Sequence, residues 1–202
     1  SVRVAPSINI KLYIMLALVL FFVIGCCGAV LLGRLSDIVD YLLYVDKKTG
    51  LPNREKLNIY IGEMAGKVLP EAFTCFTLNL DNLSELTKRF GYTVGDGVLK
   101  DFAGLVQLMG DTEGMRGYNG IGRFVVFFEE CSSKKAAAMI RILDNQVEEY
   151  NSLNPEYPIR YTAAWATTEE TDTYEIRELL RLSQKKWKQM EKEKKDKTKE
   201  ET

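Results

Sequence analysis

A chain of 202 residues, 46% hydrophobic and 27% charged, is long enough for one soluble domain of ordinary size plus an appendage. Its formal net charge of −1 supplies no global field for nucleic acid or acidic substrates, and with no histidine it lacks the commonest general base and metal ligand. The four cysteines, Cys26, Cys27, Cys75 and Cys131, show no CxxC spacing, so neither a zinc site nor a disulfide framework is expected. Cys75 and Cys131 read as buried thiols in a reducing compartment.

Residues 1–11 form a short N-terminal segment. From Leu12 to Gly33 no charged residue intervenes, a run of about 22 residues that as a helix spans roughly 33 Å, enough for a bilayer core. A cleaved leader is the rival reading, because Val23-Ile24-Gly25-Cys26 looks like a lipoprotein processing box that would leave Cys26 lipid-modified. The apolar run continues through Ala29, Val30, Leu31 and Leu32, which favours a retained transmembrane helix over 12–33. Arg3 and Lys11 precede it, whereas Arg34, Lys47, Lys48 and Arg54 follow. This bias places the C-terminal part of a single-pass membrane protein in the cytoplasm. Over 34–45, Leu35, Ile38, Leu42 and Val45 recur at heptad spacing, the pattern of a linker helix that pairs two copies as a parallel homodimer.

Beyond the linker, helix and strand signals alternate. Arg54 to Lys67 predicts a helix after the Pro52-Asn53 turn, and Phe73 to Leu80 predicts a strand. Leu83 to Phe90 and Val94 to Met109 predict helices broken at Gly91. Met115 to Asn119 and Phe124 to Glu129 predict two strands joined by a hairpin at Gly120-Ile121-Gly122. Ser133 to Leu153 predicts a long helix, Ile159 to Thr167 a strand, and Tyr174 to about Lys195 a last helix. The expected class is α/β, a mixed sheet flanked by helices. The Lys- and Glu-rich tail from Lys185 onward reads as a solvated, fraying face.

Four short motifs fall in order along this frame. They are Asp46-Lys47-Lys48-Thr49-Gly50-Leu51-Pro52-Asn53-Arg54, Leu78-Asn79-Leu80-Asp81-Asn82-Leu83, Phe90-Gly91-Tyr92-Thr93-Val94-Gly95-Asp96-Gly97-Val98-Leu99, and Gly120-Ile121-Gly122-Arg123-Phe124. Together they resemble the D-x-L-T-G-L-x-N-R opening, the l-D-i-D-x-F strand end, the Y-G-H-x-x-G-D-x-v-L stretch and the name-giving hairpin of GGDEF (diguanylate cyclase) domains. The resemblance covers 46–190 and leaves 191–202 as a charged tail. It implies a fold like the palm of nucleotidyl cyclases, with two GTP condensed to cyclic di-GMP at a dimer interface by carboxylate-held divalent metals.

This chain departs from the family at the positions that matter for that chemistry. Asn79 stands where the first aspartate of l-D-i-D holds metal, and Gly122 and Arg123 stand where the hairpin has its two acids. Thr87 replaces the asparagine that reads guanine, Ser84 a lysine and Tyr92 a histidine. In the first motif, Lys48 replaces a leucine. The inhibitory RxxD site would fall on Asp111 and Gly114, and the closing signature is reduced to Leu182 through Met190, with Trp187 keeping the aromatic as core packing. Asp96, the other guanine partner, survives, though an aspartate there also favours a helix N-terminus. Asp81 reads as a turn or cap residue.

The resemblance therefore implies no catalytic residue, no metal and no cofactor. It implies a membrane-anchored binding or scaffold module, with a protein partner in a cyclic di-GMP pathway and a weak guanine-nucleotide site at Asp96, Gly120, Gly122 and Arg123. An active diguanylate cyclase with an unorthodox site is the alternative, and a structural envelope protein is a third reading.

Overall fold

The computed structural model describes residues 10–110 and 114–200 in two units, Ser1–Leu43 and Tyr44–Thr202. Arg3, Asp111 and the last two residues of the tail lie outside the described residues. Helix α1 (Ile10–Tyr44) accounts for the first unit. Its large apolar side chains, from Leu12 to Leu43, are exposed along its length, and it is long and apolar enough to cross a membrane. The heptad seam is shorter than expected. Leu35, Ile38 and Leu42 are exposed on the helix, but Val45 lies beyond its end, in an antiparallel bridge with Pro52. The cause is local: the turn closed by Asp46 brings Asn53 back, so that its N–H donates to the Tyr44 carbonyl at 2.8 Å.

The second unit is built on a four-stranded sheet. Strands β1 (Thr74–Leu80), β2 (Gly114–Tyr118), β3 (Arg123–Phe128) and β4 (Tyr161–Thr167) lie in the order β2-β3-β1-β4. Every pairing is antiparallel, where a mixed sheet is expected from alternating strands and helices. The two crossovers explain the difference. β1 to β2 and β3 to β4 each return parallel but one position away, and each gap is filled by a strand of the other crossover running the opposite way. This is the split βαβ arrangement.

Helices cover both faces of the sheet, so the strands carry apolar residues on both sides. On one face Phe76, Leu78 and Leu80 of β1 and Phe124, Val126 and Phe128 of β3 pack on helices α4 (Tyr92–Gln107) and α5 (Ser133–Leu153). On the other, Cys75, Val125 and Phe127 pack on α2 (Arg54–Met64) and α7 (Ile176–Glu200). Helix α3 (Leu83–Phe90) joins β1 to α4, with the break at Gly91 as expected. A single turn, α6 (Thr168–Thr171), is new; Thr167 caps it by accepting from the Glu170 N–H. The last helix does not fray from Lys185 but continues to Glu200.

Candidate functional site

The first motif is a loop built by its own side chains. Asp46 accepts at Oδ1 from the Thr49 N–H and hydroxyl, both at 2.9 Å, and Asn53 caps α2 by accepting from the N–H groups of Glu55 and Lys56. That loop projects Lys48, whose ammonium meets Asp96 at 2.8 Å. The hydrogen bond to Asp96 raises the Lys48 pKa above its ordinary value. Asp96 sits in the second turn of α4 and caps nothing, since Gly91 precedes the helix. Its pairing with Lys48 joins the retained aspartate to the one departure in the first motif.

The end of β1, the start of α3, the hairpin tip and α7 enclose an open cleft of about 610 Å³. Asn79, Ser84, Thr87, Tyr92 and Arg123 line it, together with Ile121, Lys88 and Trp187. The register explains the grouping, because Asn79 is opposite Arg123 on β3 and opposite Thr162 on β4. Asp96, Gly120 and Gly122 do not line it. Gly120 instead borders a neighbouring cleft with Asp46, Asn53 and Tyr118. The candidate nucleotide residues are therefore divided: Arg123 is in the cleft and the other three are not.

The hairpin tip takes three successive left-handed residues, Gly120 at φ +82°, Ile121 at +53° and Gly122 at +74°. The two glycines are there because the turn requires it. Ile121 is the anomaly, a β-branched residue strained in this region and 80% exposed at the rim of the cleft. Among the described residues the Arg123 guanidinium makes no ion pair or side-chain hydrogen bond. Lys88 is likewise unpaired among them. Thr87 is committed to the fold. Its hydroxyl donates to the Leu83 carbonyl at 2.8 Å, and a Cβ on Gly95 would lie 2.2 Å from its Oγ1.

Asp81 also lines the cleft and is more than a plain turn residue, because both of its oxygens already have partners. Its Oδ1 accepts from the Asn79 amide at 2.9 Å and its Oδ2 from the Thr162 hydroxyl at 2.6 Å. Lys194 of α7 reaches the same carboxylate at 3.7 Å.

The family model described as "Diguanylate cyclase, GGDEF domain" matches residues 43–197. The chain belongs to the GGDEF family. That membership implies cyclic di-GMP signalling. No curated protein matches the chain. Among solved structures, a diguanylate cyclase/phosphodiesterase from Caldicellulosiruptor saccharolyticus is 19% identical over 75% of this chain and 91% of that one, with a TM-score of 0.58. The coiled coil and GGDEF domain of DgcB from Caulobacter crescentus, in complex with c-di-GMP, is 15% identical over 74% and 82%, with a TM-score of 0.60. The S helix-GGDEF-EAL portion of Vibrio cholerae LapD, bound to c-di-GMP, is 12% identical over 67% of this chain and 31% of that one, with a TM-score of 0.56. At these identities the likeness is one of fold.

The residues of this GGDEF domain do not fit the family's divalent metals. Magnesium is held by carboxylate oxygens, and the positions in question offer a neutral amide, a buried glycine and a guanidinium. Asp81, a carboxylate that lines the same cleft, is already engaged by two donors and an ammonium. Among the described residues no group of three His, Cys, Asp or Glu side chains could hold a metal. Of the inhibitory RxxD position, Gly114 opens β2 without a side chain. Sequence reasoning missed Lys88 and Lys194. Lys194 is one of many lysines in a uniform charged stretch, and only the path of α7 sets it apart.

Proposed function

We propose that this chain is a membrane-anchored GGDEF module that signals by binding and forms no product. Its ligand is a partner protein of a cyclic di-GMP pathway, and its cleft takes a guanine nucleotide weakly, without metal. The observation that carries this reading is Arg123, a guanidinium in the cleft that is unpaired among the described residues, at a position where the family places an acid. A guanidinium meets phosphate oxygens in bidentate geometry, a role in which it needs no bridging cation. The Lys48 contact with Asp96 is between exposed groups and gives way readily to a competing partner. The c-di-GMP bound in the LapD and DgcB structures makes that nucleotide one of the ligands to try.

Calorimetric titration of GTP, GDP and cyclic di-GMP into the whole protein in detergent, with EDTA and with Mg²⁺, tests the reading. Binding that survives EDTA and is lost in Arg123→Glu is the expected result. No heat with any of the three removes the nucleotide and leaves a purely protein-facing role.

The anchor belongs to the same proposal. Residues 12–33 cross the bilayer, the C-terminal domain faces the cytoplasm, and the seam of Leu35, Ile38 and Leu42 pairs two copies. A C-terminal reporter fusion active only outside the cytoplasm contradicts the orientation, and a monomeric mass in detergent contradicts the pairing.

A further inference from the structure

Helix α7 runs alongside β1 and is tied to it at two points. The first is a buried cluster in which Ser183 Oγ lies 2.8 Å from Thr77 Oγ1 and 3.4 Å from Cys75 Sγ. About three turns further along α7, roughly 16 Å, comes Lys194, while four residues along the strand direction, about 13 Å, comes Asp81. The matching spans bring the ammonium of Lys194 to the strand end. There it donates to the Tyr161 carbonyl at 2.9 Å and to Thr162 Oγ1 at 2.7 Å, and faces Asp81 Oδ2 at 3.7 Å. Two of these contacts are hydrogen bonds from the ammonium and the third is an ion pair.

We propose that Lys194 is the resident cation of this domain, its ammonium holding against Asp81 the place where the fold would otherwise carry a divalent metal ion. This deepens the non-catalytic reading and rests on it for the expectation that the domain works without metal. The chemistry is an exchange of one cation for another. Divalent ions of this kind need oxygens at about 2.0–2.6 Å with lone pairs turned toward them. Both Asp81 oxygens instead accept hydrogen bonds, from the Asn79 amide and the Thr162 hydroxyl, and Thr162 relays between Asp81 and the lysine by donating to one and accepting from the other. An incoming metal would have to displace these donors and also face the ammonium. The loss of the family's first aspartate and the presence of Lys194 are then two halves of one change: Asn79 removes the negative charge a metal needs, and Lys194 neutralises the one that remains.

Restoring the aspartate alone should therefore fail to restore metal binding. The test uses the whole protein in detergent micelles with no nucleotide present, and reads Mn²⁺ binding from loss of the free-ion electron paramagnetic resonance signal. Asn79→Asp is expected to bind Mn²⁺ no better than the unmodified protein. Asn79→Asp combined with Lys194→Met should bind at least about tenfold more tightly than Asn79→Asp alone, as removal of a cation from the first neighbours of a divalent ion requires. Adding Asp81→Asn should abolish that gain, and Lys194→Arg in place of Lys194→Met should prevent it. Circular dichroism verifies folding, and Lys194→Gln serves as a second route should the methionine variant misfold. Tight binding by Asn79→Asp alone overturns the proposal, as does a folded double variant with no gain. Because no nucleotide enters this measurement, its failure is separate from a failure of the Arg123-dependent titration.

Discussion

Supplied with GTP and Mg²⁺ or Mn²⁺, the purified protein is expected to form no cyclic di-GMP. Metal-assisted phosphoryl chemistry needs ions held by carboxylates to activate the attacking hydroxyl and to neutralise the triphosphate. Asn79 contributes no charge, and Arg123 contributes the wrong one. A guanidinium about 4 Å from a divalent ion costs several kcal/mol even at an effective dielectric near 20. Gly122 makes the deficit resistant to repair. It is buried, it adopts φ +74°, and a Cβ there would lie 3.1 Å from the Leu80 carbonyl oxygen. Its N–H also donates to the Tyr118 hydroxyl at 3.2 Å. A glutamate at this position would be strained before it touched a metal, so the Asn79→Asp, Arg123→Glu double variant is expected to be inactive as well. Chromatographic detection of product that disappears on mutating Asp96 would establish the unorthodox-cyclase alternative and overturn the non-catalytic reading.

The second large effect concerns stability. Phe124→Ala is expected to destabilise the domain by about 3–5 kcal/mol, the range for deleting a fully buried aromatic side chain. Phe124 is fully buried, edge-on to Phe102 at 5.3 Å between ring centroids and 5.2 Å from Tyr118. It follows Arg123 directly and pairs with Leu78 on β1, so its packing also holds the hairpin tip at the cleft. Urea denaturation followed by the fluorescence of Trp165 and Trp187 measures the change. A loss below about 1 kcal/mol would show that the hairpin is held by something other than this aromatic contact.

Most of the frame was legible because its signals are local. Helices α3 and α5 keep the expected bounds, Leu83–Phe90 and Ser133–Leu153, since a glycine break ends one and a serine cap starts the other. The hairpin was legible from its glycines. Sheet polarity was not, because alternation of strand and helix reports the direction of a crossover and says nothing about which strand fills the gap it leaves. In the site, the replaced acids could be placed by motif alone, and Asn79 and Arg123 do face one cleft. The pairing of Asp96 with Lys48 was not legible, because it joins 46–53 to α4, a contact between distant segments that no local pattern encodes. Lys194 was hidden for the same reason, with its partners Asp81 and Thr162 far away in sequence. Val45 failed as a heptad residue because the Asp46 turn overrides the periodicity one residue too early.

The burial of two sulfur atoms has a practical consequence. Cys75 is fully buried beside Ser183, and burial pushes its thiol up to about 12; burial also raises the Cys131 thiol. Thiol reagents and oxidants react with the exposed thiolate. In the folded domain neither sulfur is in that state, so the domain is deaf to peroxide and inert to alkylation while it stays closed. Cys26 and Cys27 on α1 are exposed and react regardless, but any labelling of Cys75 or Cys131 counts openings. Cys75 times the lifting of the last helix from the sheet, and Cys131 times the loosening of the segment that leads into α5, two separate clocks already built into the chain.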